Sequence, residues 1–171
     1  MNKIIFATGN KDKMKEIRMI LSDLDVEILS MKEAGISVDI EENGTTFEEN
    51  ALIKAKAVAA YTDAVVLADD SGLEIDYLNK EPGVYSARYA GDAHNSEANM
   101  KKLLKDMEGI ENRKAQFRTV FVLIIDGKEH LFEGIVKGEI TKNRKGTSGF
   151  GYDPIFIPEG YTQTFAEMGN E

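Results

Sequence analysis

Ile4-Ile5-Phe6-Ala7 is a short apolar run that ends at Thr8-Gly9-Asn10, residues that favour turns and helix N-caps. It reads as a buried strand that delivers the chain directly into a helix. In the stretch that follows, Met14, Ile17, Leu21 and Leu24 recur at three- and four-residue steps among Lys11, Lys13, Lys15, Glu16 and Arg18, which gives that helix one core face. A second strand is predicted around Val26 to Leu29. An acidic linker, Asp39 to Asn43, leads to Gly44-Thr45-Thr46, where a threonine followed by Glu48 or Glu49 has the pattern of a helix N-terminus. The helix runs to about Tyr61, and its Ala-rich segment joins high helix propensity to small side chains that permit close packing.

Ala64 to Ala68 is again continuously apolar, the mark of a strand covered on both faces, and is expected to stop at Asp69-Asp70-Ser71-Gly72. Beyond it the pattern predicts a loop from Asn79 to Asn95 and a helix from about Ser96 to Met107. Two β-rich runs follow, Gln116 to Asp126 and Lys128 to Thr141, joined at Asp126-Gly127, a hairpin signal. A glycine-rich stretch, Lys145 to Asp153, precedes a short strand, Pro154 to Ile157. No internal repeat, low-complexity tract or interdomain linker breaks this order, so one domain of one or two lobes is expected.

Composition narrows the possibilities. A chain of 171 residues, 42% of them hydrophobic, can bury a core within one domain. The absence of cysteine removes both a disulfide framework and a thiolate metal site, and a cytoplasmic location is the default. The N-terminal apolar run is too short for a signal-peptide core, and nowhere do about eighteen apolar residues run together, so neither secretion nor membrane insertion is expected. A net charge of −9 argues against a grip on nucleic acid polymers, which depends on many cationic contacts. It does not argue against one small anion held by a few local cations, backbone amides and a metal.

Three segments carry candidate chemistry. Thr8-Gly9-Asn10-Lys11-Asp12-Lys13 brings a strand to a helix N-terminus, whose free amides and dipole favour an anion; the plainer reading is an ordinary strand-to-helix turn with a surface lysine. Asp69-Asp70 sets two carboxylates against an apolar run, which is costly unless they are solvated, hydrogen-bonded or bound to a cation. One of them suits Mg²⁺, which is commonly held by one or two carboxylates, waters and phosphate oxygens; equally, both aspartates could cap a turn through Ser71-Gly72. Gly149-Phe150-Gly151-Tyr152-Asp153 offers aromatic rings on a flexible backbone, able to stack on a base, or a tight turn with core aromatics. Glu41-Glu42 can supply another carboxylate or be a solvated pair. His94 and His130 have no ligand-like spacing.

Taken together, these blocks resemble the inosine triphosphate pyrophosphatase family. The resemblance is carried by Phe6-Ala7-Thr8-Gly9-Asn10 with Lys13 and Glu16, by Glu41-Glu42-Asn43-Gly44 leading into Phe47-Glu48-Glu49-Asn50-Ala51 and Lys54, and by Ala68 to Leu73. It continues through Pro82 to Tyr89, Gly149 to Pro154 and Thr164 to Met168, in family order. The resemblance implies an α/β fold with an elongated central mixed sheet flanked by helices, two lobes around a nucleotide-binding cleft, and a homodimer. It implies hydrolysis of non-standard purine nucleoside triphosphates (ITP, dITP, XTP) to monophosphate and pyrophosphate.

In the roles it assigns, Thr8, Gly9, Asn10, Lys11, Asp12 and Lys13 hold the triphosphate and Asp70 binds Mg²⁺ and acts as base toward water. Glu41 completes the metal site, Ser71 touches substrate, and Phe150, Gly151, Tyr152 and Asp153 hold the base. Lys54 and Arg88 fall where the family places further cations. The sequence stops at Gly169-Asn170-Glu171, where the family continues into a helix bearing a Ser-His-Arg motif. For a chain without that helix, weakened turnover and reduced base discrimination are expected, and the alternative is a nucleotide-binding module with little or no turnover.

Overall fold

The computed structural model describes residues 2–8, 11–38, 40, 43–91, 95–146 and 151–168, without the side chains of Asn2, Ala87 and Arg88. Strand β1 (Asn2–Phe6) pairs in parallel with β2 (Val26–Ser30), Ile4 facing Ile28, and with β3 (Val65–Ile75), Ile5 facing Val66. Parallel neighbours need a crossover, and crossovers are right-handed. Because β2 and β3 flank β1 on opposite sides, the two crossover helices, α1 (Lys11–Ile20) and α2 (Phe47–Ala59), must cover opposite faces of the sheet. Side chains alternate along β3 accordingly: Leu67 packs with Met14 and Ile17 of α1, whereas Asp70 bonds to Asn50 of α2.

The expected core face of α1 is only partly realised. Met14 and Ile17 are buried and Leu21 packs at the edge of the same cluster, but Leu24 lies past the helix end and is exposed. Helix α2 starts where its capping residues require. The Thr46 hydroxyl accepts from the Glu49 N–H at 3.1 Å, and the Glu49 carboxylate accepts from the Thr45 N–H at 3.0 Å. The helix ends at Ala59, two residues short of Tyr61.

The largest departure from the sequence pattern is in β3. The apolar run stops at Asp69, but the strand does not: it continues through Asp69-Asp70-Ser71-Gly72 to Ile75. Leu73 and Ile75 are fully buried, and their burial carries the strand past the polar residues Asp69, Asp70 and Ser71. The two carboxylates can remain in the strand because each meets a partner, as described below.

The chain divides into two compact units, residues 1–70 with 119–133 and residues 71–118 with 134–171. In the first, Phe6, Met14, Ile17, Ile28 and Leu67 form a core with Phe121 and Leu123 of β5 (Lys114–Ile125). In the second, helix α3 (Ser96–Asp106) lays Met100 and Leu103 onto Leu73, Ile75, Ile140, Ile155 and Phe156. The strand order is β2-β1-β3-β5-β6-β7, with β4 (Glu81–Pro82) antiparallel to β3 and β6 (Lys128–Ile140) antiparallel to β7 (Phe156–Pro158). The sheet is therefore mixed and the fold α/β. Asp126 and Gly127, both at positive φ (51° and 77°), make the tight connection from β5 to β6 that the sequence signals.

Two expectations in the second unit need correction. The 79–95 segment is not a plain loop: it holds β4 and a 3-10 helix, Gly83–Arg88. Pro154 to Ile157 begins as a 3-10 helix, Asp153–Ile155, because proline suits the first helical positions, and only then becomes β7. A last helix, α4 (Phe165–Met168), places Phe165 on Phe156, ring centroids 5.4 Å apart. Among the described residues, no helix is long and apolar enough to cross a membrane.

At Gly138, β6 and β7 approach so closely that an added Cβ would stand 2.2 Å from the Ile157 carbonyl oxygen. Gly138→Ala is expected to cost about 1–3 kcal/mol through forced backbone displacement, read as a lower midpoint in chemical denaturation.

Candidate active site

In an open α/β sheet, ligands bind beyond the carboxyl ends of the strands, where the strand order reverses. Here the reversal lies at β1, between β2 and β3. The chain leaves β1 through Thr8, which is half-buried, and re-enters helix at Lys11. Next to β1, the strand β3 extends past its pairing with β1 and presents Asp69 and Asp70.

These two carboxylates serve opposite faces. Asp69 is 5% exposed, and its Oδ2 stands 3.2 Å from Nζ of Lys13, on the α1 side. Asp70 is half-buried and its Oδ2 accepts from Nδ2 of Asn50 at 3.1 Å, on the α2 side. Asn50 is 2% exposed, and its Oδ1 accepts the Gly44 N–H at 2.8 Å. Lys54, buried to 9% exposure, lies one helical turn further along the same inward face of α2. Two pairs thus flank β3 beside the reversal point, Lys13 with Asp69 on the α1 side and Asn50 with Asp70 on the α2 side.

Other sequence candidates lie elsewhere. Lys11 is exposed and shares a shallow depression with Lys15, Arg18 and Met19, and Asp12 is exposed in the first turn of α1, where its charge suits the helix dipole. Ser71 follows Asp70 in β3, half-buried, and belongs to the second unit. Gly151 has φ of 61° and Asp153 opens a 3-10 helix. Gly9, Asn10, Glu41, Phe150 and His94 lie outside the described residues.

Tyr152 is a core side chain. It is 6% exposed, and its phenol donates to the Ser86 carbonyl at 2.6 Å. The Ser86 hydroxyl in turn accepts the Leu73 N–H at 2.8 Å and donates to the Gly83 carbonyl at 2.6 Å. Any contact of Tyr152 with a ligand would therefore fall to its backbone.

The residues missed as site candidates are Asn50 and, in part, Lys54. The signal was present: two polar residues four apart on the face of an Ala-rich helix that also carries Phe47, Ala51, Ala55 and Val58. Among the described residues no three His, Cys, Asp or Glu side chains form a metal-binding group. The chemistry of the donor nonetheless fits a hard cation that keeps its waters, since Asp70 is a half-buried carboxylate fixed by an amide, with oxygen as its only donor atom.

Burial pushes the Tyr152 phenol well above the usual tyrosine range. The folded state therefore keeps it neutral while the unfolded chain ionises near pH 10, so its stabilising contribution is present below that pH and lost as pH rises further. Tyr152→Phe is expected to lose about 1 kcal/mol at neutral pH with the hydrogen bond to Ser86. Above pH 10 its stability should fall less steeply than that of the unsubstituted protein, as measured by denaturant titrations across pH.

The sequence profile of the Ham1 family matches residues 4–171. A Flavobacterium johnsoniae protein named dITP/XTP pyrophosphatase is 50% identical over 166 residues, covering 97% of this chain and 86% of its own length. A Porphyromonas gingivalis protein of the same name is 49% identical over 172 residues, covering 100% and 88%. Among solved structures, the Staphylococcus aureus Ham1 protein has a TM-score of 0.87 at 40% identity, and a HAM1 protein from Coxiella burnetii 0.89 at 38%. Each match covers 99% of this chain and 88% of the other. The resemblance read from the ordered sequence blocks is borne out: the chain belongs to the Ham1 family.

Proposed function

We propose that this protein hydrolyses non-standard purine nucleoside triphosphates, ITP, dITP and XTP, to the monophosphate and pyrophosphate. The observation that carries the reading is the carboxylate of Asp70, held at the reversal point of the sheet by a buried amide, in a chain whose relatives at 47–50% identity are named dITP/XTP pyrophosphatases.

In this reading Asp70 accepts a proton from the attacking water as the bond between the α- and β-phosphates opens and pyrophosphate departs. A carboxylate fixed by Asn50 is already oriented when substrate arrives, which spares the cost of ordering it during the reaction. Lys13 offers its ammonium to phosphate oxygens; Asp69 keeps that long side chain at the site by pairing with it. Asp70 together with Glu41 would hold Mg²⁺, which when bound neutralises phosphate charge and orients the substrate oxygens. The family resemblance gives Thr8 to Lys13 the role of holding the triphosphate, Ser71 that of touching substrate, and Phe150 to Asp153 that of holding the base. Inosine and xanthosine carry a 6-oxo group in place of adenine's 6-amino group, and a pocket that hydrogen-bonds that edge penalises adenine by leaving buried polar groups unpaired. We place the protein in the cytoplasm, as a homodimer.

Incubation with ITP, XTP, ATP and GTP plus magnesium tests the reaction, with products resolved by ion-exchange chromatography. Monophosphate and pyrophosphate should appear together, faster from ITP and XTP than from ATP; diphosphate as the first product would overturn the reading. Asp70→Asn should lower kcat by about 10²–10⁴-fold while retaining part of the nucleotide affinity, because an amide has little basicity and holds a cation poorly. Near-normal turnover in that variant would remove Asp70 from its role.

A further inference from the structure

Asn50 occupies an unfavourable place for its type. Asparagine is a poor helix former, and this one sits inside α2, buried, among Phe47, Ala51 and Ala55. A buried amide is tolerated when its donors and acceptors are used, and here both ends are. The Gly44 N–H can only donate, so the amide oxygen must face it and the amide nitrogen must face Asp70, which is the arrangement found, at 2.8 and 3.1 Å. Gly44 itself allows the approach: a Cβ there would stand 2.6 Å from the Glu49 Cβ and 2.8 Å from the Asn50 Oδ1. The Glu49 carboxylate holds the next backbone amide, that of Thr45, at 3.0 Å.

We propose that Asn50 is a positioning residue which ties the Asp70 carboxylate to the backbone at Gly44, so that one buried amide sets both the carboxylate on β3 and the chain segment leading out of the acidic 39–43 linker. The inference rests on the reading of Asp70 as the group that acts on water. Asn50 does not touch the reacting atoms in this scheme; it fixes the rotamer of the group that does. Aspartate at this position keeps the acceptor for Gly44 but replaces the donor to Asp70 with a second carboxylate. Alanine removes both bonds, and Gly44→Ala drives the backbone away from the amide while leaving Asn50 itself intact.

The test compares Asn50→Asp, Asn50→Ala, Gly44→Ala and Asp70→Asn with the unsubstituted protein, by kcat and KM for ITP, thermal midpoint and amide hydrogen exchange over residues 43–46. Asn50→Asp should keep protection of the Gly44 amide and lose about 10–100-fold in kcat with KM changed much less. Asn50→Ala and Gly44→Ala should lose that protection and kcat together. A merely structural Asn50 would lower the midpoint and the active fraction but leave kcat per folded molecule unchanged, and that result overturns the proposal. So does wild-type kcat in a folded Asn50→Asp. If Asn50→Ala does not fold, Asn50→Asp, nearly equal in volume, decides alone. Turnover retained in Asp70→Asn overturns both this proposal and the reading beneath it, whereas an inactive Asp70→Asn beside a fully active Asn50→Asp overturns only the role of Asn50.

Discussion

Two consecutive aspartates lie inside a strand that is apolar before them and apolar after them. Ala68 and Leu73 are fully buried, and Asp69 is nearly so. A buried charge without a partner costs several kcal/mol, a large share of a typical domain's net stability, so the nearly buried Asp69 needs a partner within the fold, and the half-buried Asp70 replaces part of its lost water with one. Alternation sends them to opposite faces, which means that no single neighbour can serve both. Lys13 meets Asp69 from α1 and Asn50 meets Asp70 from α2.

That both helices are available follows from connection geometry. With β2 on one side of β1 and β3 on the other, two right-handed crossovers leave one helix on each face. The same arrangement makes β1 the place where strand order reverses. The groups that meet the two aspartates are thus delivered to the position where an α/β sheet accepts ligands. Stability and the proposed chemistry draw on the same contacts: the ion pair that compensates Asp69 holds a lysine at the site, and the amide that compensates Asp70 orients a carboxylate. The N-terminal capping bonds of α2 matter for the same reason, since Thr46 and Glu49 set where the helix starts and hence where Asn50 stands.

The second unit meets a different demand. Ser86 accepts from the Leu73 N–H and donates to Gly83, while its carbonyl takes the Tyr152 phenol, so one residue links β3, the 3-10 helix and the segment ahead of β7. Arg113 does comparable work near the end of α3, donating to the carbonyls of Met107, Ile110, Ile140 and Thr141. Burial holds its guanidinium below the usual arginine range, and the four carbonyls engage four of its five N–H donors.

Much was legible in the sequence because local periodicity and capping chemistry are local. Most of the core face of α1, the Thr46 N-terminus of α2, the Asp126-Gly127 turn and the apolar strands follow from residues within a few positions of one another, and the ordered blocks were enough to place the chain in its family. Tertiary structure decided what depends on distant partners. Asp69-Asp70-Ser71-Gly72 has the composition of a turn and became strand, because Lys13, 56 residues away, and Asn50, 20 residues away, supply what the carboxylates need. Tyr152 sits in a stretch with the composition of a ligand loop and became core, because a carbonyl 66 residues away accepts its phenol in an apolar setting. Asn50 looked like one more residue of an Ala-rich helix, and only the approach of Gly44 and Asp70 from two other segments gives its amide a purpose.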